Sequence, residues 1–184
     1  MDKVEVDYLR FLWPMRHFLV TCGTADRPNI IAVSFCMPVS REPPLLACAI
    51  GREMLSCELI GRTGEFVVNV PTADQARQVY YCGSHSGRAV DKFRETGLTP
   101  VPARRVGTPA IAECPVHLEC RVTSAVEAGE KRLFVATVVD AVADEDVAAG
   151  RRRPTWAVGE FPARVYGTRF PGGAPPSRAP GAGR

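Results

Sequence analysis

Residues 29–51 read NIIAVSFCMPVSREPPLLACAIG: two apolar runs, Ile30–Phe35 and Leu45–Ile50, held apart by Pro38 and the Pro43–Pro44 pair. Short runs of β-branched and small apolar residues, bounded by proline, predict strands rather than helices. Alternation within them is weak, as expected of strands covered on both faces.

Working outward, Phe18–Cys22 is a β-rich run before the turn-like stretch Thr24–Asn29, so it pairs with Ile30–Phe35 as a hairpin with a loop of several residues. Downstream, 53–62 places Leu55, Leu59 and Ile60 on one side of a helix, with Gly64 suited to its C-terminus. Phe66–Val70 is a strand stopped by Pro71; 74–82 is a second helix with Val79 inward, closed by Gly83; a short helical turn at 90–94 ends at Gly97. In 113–123, Cys114, Val116, Leu118, Cys120 and Val122 are expected on one face, with His117, Glu119 and Arg121 on the other. Gly129 turns the chain into a long strand over 133–142. Many short strands with helices in the crossovers predict a mainly β protein, a barrel with helical insertions. Residues 1–170 are read as one domain. The stretch 171–184, PGGAPPSRAPGAGR, lacks side chains able to build a core and reads as a disordered tail.

Composition narrows the function classes. A chain of 184 residues, 46% hydrophobic and 23% charged, can bury a core without disulfides or a structural metal. Net charge is only +3, and the one basic run, Arg151–Arg153, runs straight into Pro154, so no nucleic-acid surface is indicated. No segment reaches the ~18 apolar residues of a membrane span. The acidic, alternating N-terminus is unlike a secretory signal. The seven scattered cysteines read as small core residues of a reducing compartment, and the protein is expected to be cytoplasmic.

Isolated motifs carry little. Cys114, His117 and Cys120 have a metal-like spacing, but strand geometry sends His117 to the opposite face, and no metal is expected. There is no G-x-S-x-G elbow, P-loop or G-x-G-x-x-G. Gly83-Ser84-His85-Ser86-Gly87 could offer backbone N–H groups to an anion, but also suits a surface turn.

The order of pieces is more specific. Asn29–Phe35 leads to Pro38-Val39-Ser40, Pro43–Gly51, Ser56, Leu59-Ile60, Thr63–Pro71, Gly83–Gly87, Asp91-Lys92-Phe93 and 109–122. From about Phe18 to Tyr166 this resembles the flavin reductase-like, FMN-binding split-barrel family that includes flavoredoxins. The resemblance implies a split β-barrel, an FMN cofactor, NADH or NADPH as reductant, and a homodimer that completes the flavin site across subunits. It implies flavin contacts from Asn29, Ala32, Val33, Ser34, Phe35, Ser40, Ala49, Ile50, Gly51, Arg52, Ser56, Cys57 and Lys92, and no side chain need act as acid or base. The small or β-branched residues Ala32–Ser34 let backbone approach a flat ring, though alone they read equally as barrel core. Gly51, Arg52 and Ser56 stand at a helix N-terminus, which suits a phosphate. Lys92 reaches the phosphate by resemblance only; otherwise it reads as a surface lysine. His17, Trp13 and residues 156–170 are candidates to line the ring from either chain.

One departure stands out. Many reductases of this family carry a G-x-H piece whose histidine meets the nicotinamide. Here Gly129-Glu130-Lys131 puts a lysine there, and Ala136 replaces a frequent glycine. Three flavin readings therefore stay open: an NAD(P)H:flavin oxidoreductase supplying a flavin-dependent monooxygenase, an electron carrier reduced by a protein partner, and an enzyme using bound flavin on another small molecule. The fourth is a barrel that has lost its cofactor.

Overall fold

In the computed structural model, which describes residues 3–8, 12 and 15–152, the strands are β1 (Phe18–Thr24), β2 (Arg27–Val33), β3 (Cys36–Ser40), β4 (Leu45–Gly51), β5 (Glu65–Val70), β6 (Pro100–Val101), β7 (Ala110–Ile111), β8 (Val116–Ala128) and β9 (Lys131–Ala143). The helices are α1 (Leu55–Thr63), α2 (Ala76–Ser84), α3 (Lys92–Thr96) and α4 (Glu145–Ala148). Seven strands form one sheet in the order β2-β1-β5-β8-β9-β4-β3, and β6 and β7 pair separately. The expected tail, residues 171–184, and the domain end at 170 lie outside the described residues.

The first hairpin is tighter than its sequence suggests. β1 and β2 pair from Phe18↔Val33 to Thr24↔Arg27, leaving two residues in the turn instead of several. Gly23 takes φ +86°, a conformation open to glycine at little cost. Pro28 is tolerated inside β2 because that strand ends the sheet and has a neighbour on one side only.

The sheet curls around one interior cluster, and β1 and β2 are covered on their outer face as well. Val20 and Cys22 of β1, Val33 of β2, Leu46, Cys48 and Ile50 of β4, Phe66 and Val68 of β5, Cys120 of β8 and Phe134 of β9 converge on one interior cluster. Cys57 and Ile60 of α1 close one end of it. The alternate residues Leu19, Ile30 and Ala32 point outward, against Val79 and Cys82 of α2, Phe93 of α3 and Ile111. Each fully buried side chain of this kind contributes about 1.5–3 kcal/mol.

The late strands correct the sequence reading in two ways. β8 begins at Val116 and runs on to Ala128, because β9 pairs with it throughout a long hairpin. Cys114 precedes the strand and packs in the outer cluster, while Cys120 lies inside the barrel, so the two do not share a face. Register shifts at Glu119/Cys120 and Val122/Ser124 break the simple alternation. Glu119 is buried, and its carboxylate accepts the Arg104 and Arg105 N–H groups at 2.7 and 2.6 Å, tying the 100–111 segment over β8.

Among the described residues no helix is long and apolar enough to cross a membrane.

His17, just before β1, is buried, and burial holds its imidazole below the ordinary value of 6.5. The unfolded chain then binds that proton more readily than the folded one just below pH 6.5. Stability is expected to fall as pH drops through that window and to level once the folded state is protonated too. Thermal unfolding between about pH 7.5 and 5.5 should show a shallower loss in His17→Gln than in the parent.

Candidate functional site

Two groups of the expected residues gather where β2, β4 and the start of α1 face one another. At the α1 end, Asn29 Nδ2 donates to Ser56 Oγ at 2.8 Å. Asn29 Nδ2 also reaches Cys22 Sγ at 3.9 Å, and the Cys22 thiol is pushed up to about 11 by burial. Ser56 is 2% exposed, so its hydroxyl is turned into this inner network.

The Gly83–Gly87 segment packs on the same network. A Cβ at Gly87 would fall onto the Asn29 carboxamide, so glycine is required there by close approach rather than by backbone conformation. Gly87→Ala is expected to displace the loop or Asn29 and to cost about 1–3 kcal/mol, read by urea unfolding.

Lys92 is not a surface lysine. It is 5% exposed, and its Nζ donates to the carbonyls of Ile30 (2.8 Å) and Cys82 (2.7 Å), joining β2 to α2. Burial lowers its pKa from the ordinary 10.5. Asp91 starts α3 by accepting the Arg94 N–H, and Gly97 ends it in the left-handed conformation; these caps set Lys92 in its first turn.

The second group forms around Phe35. Its carbonyl accepts the Ala49 N–H at 2.8 Å, and Gly51 pairs with Lys131. This register carries Lys131 Nζ over the Phe35 ring, 5.0 Å from its centroid. Lys131 is thus held against the site rather than solvated in a turn. Ser34, just after β2, is 2% exposed, and its Oγ has no hydrogen-bond partner among the described residues.

Arg52 follows β4, with its N–H on the Glu130 carbonyl (3.0 Å) and its guanidinium 3.2 Å from Glu127. With Glu53, Cys57, Glu58, Glu127 and Arg132 it lines a cleft of about 240 Å³. Any anion there must draw Arg52 away from Glu127. The residue before α1, Met54, provides no side-chain acceptor for the helix's first N–H groups.

The other expected residues are placed differently. Val33 and Ile50 turn their side chains into the barrel, and Ala32 turns outward under α2 and α3, so these can meet a ligand through backbone alone, while Cys57 packs on the core beside the Arg52 cleft. Ser40 is not brought to the others; it lines an apolar cavity in another part of the barrel, with Phe18, Pro38 and Leu46. Trp13 and residues 156–170 lie outside the described residues. Glu127, the partner of Arg52, was not anticipated, since nothing local to a polar hairpin end reveals a partner on another strand. Among the described residues no group of three His, Cys, Asp or Glu side chains could hold a metal.

A seven-stranded antiparallel barrel whose sheet ends, β2 and β3, are consecutive in the chain but unpaired is a split barrel. The chain belongs to the flavin reductase like domain family, whose model matches residues 12–162. An uncharacterised protein of Archaeoglobus fulgidus is 38% identical over 139 residues, 76% of this chain and 78% of the relative. An NADH-dependent FAD reductase of Streptomyces globisporus is 28% identical over 141 residues, 76% of each chain. The crystal structure of flavoredoxin from Methanosarcina acetivorans superposes with a TM-score of 0.73 at 28% identity, covering 79% of this chain and 77% of that one.

Proposed function

We propose that this flavin reductase-family chain binds FMN along the β2–β4–α1 flank and uses NADH or NADPH to reduce it. The observation that carries the reading is the Ser34 hydroxyl, buried without a partner among the described residues, between the Phe35–Lys131 and Asn29–Ser56 groups. An unsatisfied buried hydroxyl costs about 1–3 kcal/mol, a cost a ligand can relieve. From Asn29 to Ser34 the chain advances about 17 Å at strand spacing, room for an extended mononucleotide.

The residues present fit that group. Ser34 and the backbone of Ala32 and Val33 would meet the ring edge, with Phe35, Ala49 and Ile50 behind them. The first N–H groups of α1 and the Arg52 guanidinium would hold the phosphate beside Gly51. Lys92 has one N–H beyond the two it uses and would add positive charge there. When bound, flavin supplies a two-electron acceptor for hydride. The chain's task is positioning, and no side chain moves a proton.

The cytoplasm, which suits free buried thiols, is the compartment of this reading, and a homodimer its working form. A flavin-dependent monooxygenase is the acceptor of the reduced flavin. Lys131 over Phe35, where many reductases carry histidine, favours a second reading: an electron carrier reduced by a protein partner. Steady-state loss of NADH or NADPH absorbance with free FMN tests the first. Consumption that needs both protein and flavin supports it; consumption at the protein-free rate with either nucleotide refutes it.

A further inference from the structure

We propose that Cys36 and Cys48 form a reversible disulfide, a two-electron redox site in the barrel wall that the flavin chemistry does not use. Five of the seven cysteines lie in or against the barrel core, yet Cys36 and Cys48 alone among them are direct partners across adjacent strands. The Ala49 N–H bonds to the Phe35 carbonyl at 2.8 Å, making 35 and 49 the hydrogen-bonded pair of the β3–β4 ladder. Cys36 and Cys48 are then the non-hydrogen-bonded pair, where facing Cα atoms stand about 4.5 Å apart and side chains lean together. That spacing falls within the roughly 4.4–6.8 Å a disulfide spans.

The side chains agree with the register. Cys48 is fully buried in the core and Cys36 packs against that core from the facing position of the adjacent strand, so the two side chains share the interior face of the β3–β4 pair. Two other thiols act on Cys48, and neither faces it across a strand pair: Cys120 lies on β8, with β9 between it and β4 and its Sγ directed at the Leu118 carbonyl, and Cys22 lies on β1. The two partners also differ in access. Cys36 is half-buried and lines an apolar cavity of about 310 Å³, with Met37 and Pro38 on its exposed rim.

The asymmetry sets the order of events. Hydrogen peroxide, a product of reduced flavin and dioxygen, takes up the electron pair of the Cys36 sulfur; the O–O bond breaks, water leaves and a sulfenic acid remains. The Cys48 sulfur then attacks Cys36 Sγ, expelling the hydroxyl as a second water with the Cys48 proton and forming the S–S bond. Two thiols lose two electrons and two protons, and one peroxide becomes two waters. A dithiol reductant reverses the bond by exchange. The proposal does not depend on flavin binding, since added peroxide is the oxidant.

The test uses the full-length reduced protein, treated with stoichiometric hydrogen peroxide under argon, quenched with N-ethylmaleimide and counted for thiols in denaturant. The count is expected to fall by two from the seven and to return with dithiothreitol, and fragmentation of the non-reduced peptides should join Cys36 to Cys48. Cys36→Ser, checked for native unfolding, should abolish the paired loss. Seven thiols surviving, a bond joining any other pair, or the same paired loss in Cys36→Ser would overturn the proposal.

Discussion

Asn69→Leu is expected to lower the unfolding free energy by about 3–5 kcal/mol, with a matching fall in the urea midpoint. Asn69 is fully buried in β5. Its Nδ2 donates to the carbonyls of Leu19 (2.9 Å) and Val67 (3.2 Å) and to Thr21 Oγ1 (3.2 Å), and its Oδ1 accepts the Ile111 N–H (2.9 Å). Leucine keeps the branching but is bulkier and removes all four bonds at once, leaving the Ile111 N–H without its acceptor and the Leu19 and Val67 carbonyls each short of a donor. A loss below about 1 kcal/mol would mean that water replaces the carboxamide and that the outer wall is less tightly closed than described.

Lys92→Met is expected to cost about 2–4 kcal/mol, because the Ile30 and Cys82 carbonyls each lose a charged donor. Relief of the buried charge offsets part of the loss, which keeps the figure below that for Asn69. A pH signature separates the two contributions. Burial lowers the folded pKa of Lys92, so the unfolded chain binds more protons between that value and 10.5, and stability should rise with pH there. The methionine variant should lack that rise, while Lys92→Arg keeps a cation and cannot titrate in this range. Flavin affinity gives the functional readout. A drop in FMN affinity larger in Lys92→Met than in an equally destabilised Gly87→Ala is the result expected of a lysine that reaches the phosphate.

The chain's pattern carries most of the architecture and little of its polar chemistry. Gly64 and Gly97 end α1 and α3 in the left-handed conformation, and the sequence shows each as a glycine directly after a stretch read as helical. The largely apolar, weakly alternating runs of β1, β2 and β5 foretell strands covered on both faces. Asn69 is different: inside Phe66–Val70 it reads as an interruption, because its partners Leu19 and Ile111 are far away in sequence. Lys92 looks like a solvated charge for the same reason. The true length of β8 depends on pairing with β9 rather than on its own polar second half.

The site divides along the same line. Ser34 and Asn29 could be singled out from the order of motifs, but only the β3–β4 and β4–β9 registers bring Phe35, Ala49 and Lys131 together. Register depends on bulges and on a one-residue choice of face, which weakly alternating runs leave open. Ser40 illustrates the converse, since it lies near the other residues in sequence yet lines the separate apolar cavity.

The most direct measurement is anaerobic: the full-length protein is mixed with FMN, NADH is added, and the flavin absorbance band is followed. The account expects the band to bleach within seconds, with one NADH oxidised per flavin, and the same mixture with Ser34→Val to bleach more slowly or to need more FMN. A band that stays unbleached with both NADH and NADPH, on a protein that demonstrably holds flavin, would contradict the reductase account and leave the electron carrier in its place.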